Sequence, residues 1–144
     1  MRIIALLKAN RESEAGTPPP KEMMAAMGPF LEEITKAGVL LATDGLTPSS
    51  KGKRVNVSGT KTKVTDGPFT ESKELVASYA LLKVKSMDEG VEWCTRFLKV
   101  LGGGECELRP IMEAADFPPE VATHEVIEND KKLRAQMQKN AAGK

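Results

Sequence analysis

A chain of 144 residues that is 40% hydrophobic and 28% charged has the make-up of one ordinary globular domain, long enough to bury a hydrophobic core. Its 21 basic and 20 acidic side chains leave a net charge of +1, so no long-range field draws in nucleic acid or an anionic membrane. Charge therefore names no partner.

The opening run Ile3 to Leu7 is apolar and stops at Lys8. It is too short for a signal-peptide core or a membrane span, so it reads as a buried strand in a cytoplasmic protein without membrane contact. Thr17-Pro18-Pro19-Pro20 breaks the chain before a helix in which Met23, Met27, Phe30, Leu31 and Ile34 recur at three- and four-residue steps. Gly38 ends that helix, and Val39 to Ala42 is a second strand, with turns at Asp44-Gly45 and Pro48-Ser49-Ser50. Val55-Asn56-Val57 and Lys63-Val64-Thr65 flank Ser58-Gly59-Thr60 and read as a polar β-hairpin. Leu75 to Val84 is the strongest strand. Ser86 and Glu89 have the spacing of a capping box, opening a helix whose apolar stripe is Met87, Val91, Cys94, Leu98 and Leu101. After Gly102-Gly103-Gly104, Cys106, Leu108, Pro110 and Met112 alternate with charged residues, and Pro110 suits an edge strand. From Phe117 on, prolines give way to a charged, weakly amphipathic helix carrying Val126, Ile127, Leu133 and Met137.

This order, β-α-β, a hairpin insertion, then β-α-β, is the ferredoxin-like βαββαβ plan of an α+β fold. Residues 1–115 form the domain and 116–144 a partly helical C-terminal extension. Along Leu75–Val84, Val76, Ala80, Leu82 and Val84 point one way and Leu75, Ala77, Tyr79 and Leu81 the other, and both sets are largely apolar. Two helices cover one sheet face. The extension is polar, so a second copy of the sheet is the economical cover for the other face, and the expectation is a homodimer. Cys94 and Cys106 lack the spacing of a disulfide framework, zinc site or redox motif and read as buried thiols.

The segment Val64-Thr65-Asp66-Gly67-Pro68-Phe69-Thr70-Glu71-Ser72-Lys73-Glu74 resembles the DGPF family, a branch of the YCII-related proteins. The likeness continues through Tyr79, Glu92-Trp93 and Glu107-Leu108-Arg109-Pro110, from about Met1 to Glu113. The resemblance implies a dimeric α+β barrel with a ferredoxin-like subunit. Some members are encoded beside or joined to extracytoplasmic-function sigma factors, and an enzyme-like site using a His–Asp pair has been proposed for the wider group. The only histidine, His124, lies in the extension, so no position of the matched region supplies that His.

Gly67 opens unusual backbone conformations and Pro68 fixes φ, so one reading of Asp66 is a turn carboxylate bonded to local amides, with Phe69 anchored in the core. The other reading makes Asp66 catalytic: partly buried at a barrel mouth, its carboxyl exchanges a proton with a small polar molecule. Lys73 and Arg109 would then bind an anionic group, Glu71 and Glu107 would orient it, and Tyr79 would supply a phenol. Glu107 and Arg109 share a strand face that suits a pocket lining or an exposed edge equally.

The remaining signals argue against other classes. Lys51, Lys53, Arg54, Lys61 and Lys63 make the hairpin basic, but no aromatic residue is interleaved for base stacking, so nucleic acid is not the expected partner. Gly102-Gly103-Gly104 follows a helix rather than opening one and reads as a turn, not a phosphate loop. No metal-ligand cluster, nucleotide loop or nucleophile–base pair appears, so neither metal nor cofactor is expected. Two function classes stand: a small-molecule binder or enzyme with its site in the barrel, and a non-catalytic regulatory or interaction module.

Overall fold

The computed structural model describes residues 1–143, and Ser72 by its backbone alone. The elements run β1 (Arg2–Lys8), α1 (Arg11–Glu14), α2 (Lys21–Lys36), β2 (Leu40–Gly45), β3 (Lys53–Ser58), β4 (Lys61–Asp66), β5 (Val76–Lys83), α3 (Met87–Leu101), β6 (Cys106–Pro110) and α4 (His124–Ala142). Two compact units result, Met1–Ile111 and a second beginning at Met112.

In the first unit β1 pairs antiparallel with β5 on one side and β6 on the other, and β2 adds outside β5, giving the order β2-β5-β1-β6. β6, with Pro110, is an edge strand, as its sequence leads one to expect. Directly opposed residues point to the same face, so Ile3, Ala5, Leu82, Ala80 and Leu108 form one face. That face meets α2 through Phe30 and Ile34, and Ile3, Ala5, Phe30, Ile34, Val39, Leu82 and Val84 make the buried core. α3 lies close above it because Gly90 has no side chain to hold it away: a Cβ there would stand 2.4 Å from Cδ1 of Ile3.

Sequence and structure differ in instructive places. Asp44-Gly45 is not a turn; both residues extend β2, where Asp44 opposes Tyr79 and Gly45 opposes Ser78. Of the expected apolar stripe of α3, Cys94 is buried and Met87, Leu98 and Leu101 are half-buried, but Val91 is exposed, because Gly90 and not the valine faces Ile3. The Ser86 hydroxyl accepts from the Glu89 amide at 3.2 Å, but the Glu89 carboxylate returns to the Lys85 amide at 2.5 Å, one residue outside the expected box. α1 has no apolar periodicity to announce it and is closed by reciprocal Asn10–Ser13 bonds. Phe69 lies outside the core described above, packed instead at the base of the hairpin.

Cys94 is buried and Cys106 half-buried, neither in a disulfide. The neighbouring Cys94 thiol, with burial added to its effect, pushes Cys106 well above the ordinary thiol range.

In the second unit, α4 starts at His124, after the prolines, with the Thr123 hydroxyl accepting from the Val126 amide at 3.3 Å, and it carries Val126, Ile127, Leu133 and Met137. The helix is laced by Glu128–Lys131 and Asp130–Arg134 pairs, and none of its residues is buried. Among the described residues no helix is long and apolar enough to cross a membrane.

The contact of Gly90 with Ile3 makes Gly90→Ala an overpacking change. Ile3 is fully buried and has little room to yield, so this substitution should lower stability by about 1–3 kcal/mol in urea denaturation despite alanine's better helix propensity.

Candidate functional site

The sheet face opposite the helices carries a row that crosses all four strands. Asp44 opposes Tyr79, Tyr79 opposes Leu6, and Leu6 opposes Glu107, with Ala42, Leu81, Ile4 and Arg109 forming the parallel row beside it. Ile4, Leu6, Ala77, Tyr79 and Leu81 are each only partly covered. The face is therefore apolar along its middle strands and polar at both edges.

Tyr79 donates its phenol proton to Oδ2 of Asp44 at 2.7 Å. That hydrogen bond, with repulsion from the carboxylate and a smaller effect of burial, raises the Tyr79 pKa above its ordinary value, because ionisation would set a phenolate against a carboxylate. Beneath the phenol, the Thr43 hydroxyl donates to the Tyr79 carbonyl at 2.8 Å and ties the two strands together. At the other edge Nζ of Lys8 lies 3.5 Å from Oε1 of Glu107, and Arg109 reaches the same carboxylate at 3.9 Å. The Lys8 side chain is only 14% exposed, so its charge is screened less than that of a surface lysine.

Lys8 also lines an open groove of about 1000 Å³ at the end of the sheet, shared with Lys73, Glu74, Glu105 and the Pro18-Pro19-Pro20 rim. A separate hollow of about 50 Å³ between sheet and helices, lined by Phe30, Trp93 and the two cysteines, is apolar and too small for more than one or two waters.

The Asp66-Gly67-Pro68-Phe69 segment has a different character. Asp66 closes β4 and forms an ion pair with Lys53, its opposite neighbour on β3, and its side chain is 75% exposed. Gly67 sits against the backbone of the short 3₁₀ turn Ser49–Lys51: a Cβ there would fall 1.7 Å from the Ser49 carbonyl oxygen. The Gly67 amide donates to the Gly52 carbonyl at 3.0 Å and the Phe69 amide to the Ser49 hydroxyl at 3.1 Å. Glu14 of α1 completes the clasp by accepting from the Ser49 amide at 3.0 Å and the Ser49 hydroxyl at 2.5 Å. The Phe69 ring lies against Gly52, with the Arg54 guanidinium 4.0 Å above its centroid.

Of the residues singled out from sequence, Tyr79, Glu107 and Arg109 share the open sheet face. Lys73 lies in the adjoining groove, which Lys8 joins to that face. Asp66 stands apart on the β3–β4 ribbon, and Glu71 is exposed in the loop that follows the clasp. Asp44, Lys8, Ser49 and Glu14 escaped the sequence reading. Asp44 was masked by its turn-like Asp-Gly pair, and the others take their roles from partners 20 or more residues away in the chain.

Residues 1–115 match the model of the YCII-related domain, and the chain belongs to that family. A solved structure with a similar course is 5-chloro-2-hydroxyhydroquinone dehydrochlorinase from Burkholderia phenoliruptrix AC1100, in complex with 2,5-dihydroxybenzoquinone. The TM-score is 0.43 at 10% identity, over 78% of this chain and 95% of that one. No curated protein matches this chain.

Tyr79 is the single tyrosine, so its titration is directly visible by ultraviolet absorbance. The midpoint should lie above the ordinary phenol value of about 10 and fall back towards it in Asp44→Asn, whose amide still accepts the bond but carries no charge. Because the folded pKa is the raised one, any stabilisation from this pair is complete below about pH 10 and is lost as pH climbs through the folded midpoint. Gly67→Ala should cost on the order of 2 kcal/mol or more in urea denaturation, since the backbone on both sides of the clasp would have to separate.

Proposed function

We propose that this YCII-related protein is a homodimer whose open sheet faces meet as a barrel and hold a small polar molecule between them. The observation that carries this reading is the row Asp44, Tyr79, Leu6, Glu107, which sets hydrogen-bonding groups on a partly covered apolar sheet face. Fully burying a large apolar side chain contributes about 1.5–3 kcal/mol, so Ile4, Leu6 and Leu81 together favour a cover, and a twofold axis supplies one with no second gene product.

Such a cavity would suit a compact ligand with an apolar body and an acidic group. Lys8 and Arg109 attract the acid, with Lys73 at the groove as a further cation. Glu107 orients them, and the Tyr79 phenol, its hydrogen bond already given to Asp44, offers its oxygen as an acceptor to a ligand hydroxyl. Glu71, exposed in the loop after the clasp, is given no part in this site. Asp66, paired with Lys53, is assigned to holding the base of the ribbon rather than to proton transfer. Binding is the activity proposed, and any chemistry would fall to Tyr79.

Sedimentation velocity at micromolar concentration should show a dimer, and Leu81→Asp should dissociate it by placing a charge in the interface. With 4-hydroxybenzoate as probe, NMR shift changes should gather at Ile4, Leu6, Tyr79 and Leu81, and affinity should fall about tenfold in Tyr79→Phe, as for a lost hydrogen bond of about 1.4 kcal/mol. A monomeric wild type would overturn the assembly. A dimer that takes up no small carboxylate on this face would overturn the binding site and favour a regulatory platform.

A further inference from the structure

The ribbon of β3 and β4 has two unlike faces. In its register Lys53 opposes Asp66, Val55 opposes Val64 and Val57 opposes Thr62, whereas Arg54, Asn56 and Ser58 oppose Thr65, Lys63 and Lys61 on the reverse. The reverse face is basic and hydrophilic. The front face carries three valines that are 67%, 66% and 56% exposed at Val55, Val57 and Val64. A lone two-stranded ribbon is marginal in water and gains stability when one face is covered, and single-faced alternation of this kind is the pattern of a half-buried strand pair. The ribbon is also firmly rooted, since the Glu14–Ser49–Phe69 clasp holds its base.

We infer that the valine face of this ribbon is a contact surface for a second copy of this chain, laid over the rim of the partner's open sheet face; the inference rests on the dimer proposed above. Area argues for this occupant. The open face supplies ten positions in paired register, three from each central strand and two from each edge strand. A stable interface takes roughly 20–30 residues a side. Further surface is needed, and the ribbon is the adjoining apolar surface: it leaves from the ends of β2 and β5, the strands of Asp44 and Tyr79, through the exposed Leu46, whose amide is bonded to Ala77 at 2.8 Å. Twofold symmetry uses each such contact twice, once from each chain. The ribbon of one subunit thereby walls the ligand cavity of the other.

The test is an isotope-filtered NOE experiment on a dimer mixed from labelled and unlabelled full-length chains, joined to dimer dissociation constants from sedimentation. Methyls of Val55, Val57 and Val64 should give contacts to the unlabelled chain. The double change Val57→Thr with Val64→Thr keeps β-branched shape and should raise the dissociation constant at least tenfold while circular dichroism stays unchanged. Valine contacts confined to one chain, or a dissociation constant within twofold of wild type, would overturn the inference. Leu81→Asp separates the two proposals. If it dissociates the dimer and the threonine pair does not, the sheet interface stands and the ribbon contact falls. If the threonine pair alone acts, the valine face is an interface between copies, but the sheet reading falls and with it the placement of the ribbon over the partner's open face. A monomeric wild type overturns both.

Discussion

Antiparallel pairing of β1 with β5 is the constraint from which the rest of the first unit follows. Register sets Ile3 opposite Leu82 and Ile4 opposite Leu81, and the pleat sends these two apolar pairs to opposite sides of one sheet. Both central strands are apolar on both faces, so the molecule cannot satisfy them with a single layer of helices. One face receives α2 and α3. The other is left with Leu6, Tyr79 and Leu81 partly in water. A slip of one residue would exchange the two sets and bring the Tyr79 phenol under the helices.

The helix-covered side is economical. Gly90 lets α3 settle onto Ile3, and Phe30 sits edge-on to Trp93, with ring centroids 6.2 Å apart, to fill the space between the helices. On the open side the polar contacts are few and placed at the sheet's edges. Exposed ion pairs such as Lys53–Asp66 stabilise little in themselves, so their value here is positional. The Glu14–Ser49–Phe69 clasp is different in kind. It ties α1, the turn before the ribbon and the loop after it into one knot, using backbone amides that would otherwise want water.

That knot explains why the most recognisable segment of the sequence lies apart from the polar row on the open sheet face. Gly67 is required by the closeness of the Ser49 backbone, and Phe69 by the stack with Arg54 over Gly52. Both are architectural demands made at the root of a projecting ribbon. The ribbon is rooted through them, so the motif's part in this structure is to hold the base of β3 and β4.

The strands, the three long helices and the hairpin were legible from composition and period, because alternation and three-to-four spacing are local consequences of backbone geometry that each segment carries by itself. The two-faced character of β5 was legible for the same reason, as was the edge position of the strand ending in Pro110. What could not be read was who meets whom across the chain. Asp44 resembled a turn residue until pairing with β5 extended its strand and set it beside a phenol 35 residues away. Glu14, Ser49 and Lys8 had no pattern of their own, and the face of α3 turned on a glycine whose importance lies wholly in the isoleucine beneath it. Local elements follow from local sequence because their hydrogen bonds close within a few residues. The constellation on the open face was decided only by tertiary structure, since register and the reach of side chains between distant segments are properties of the assembled sheet.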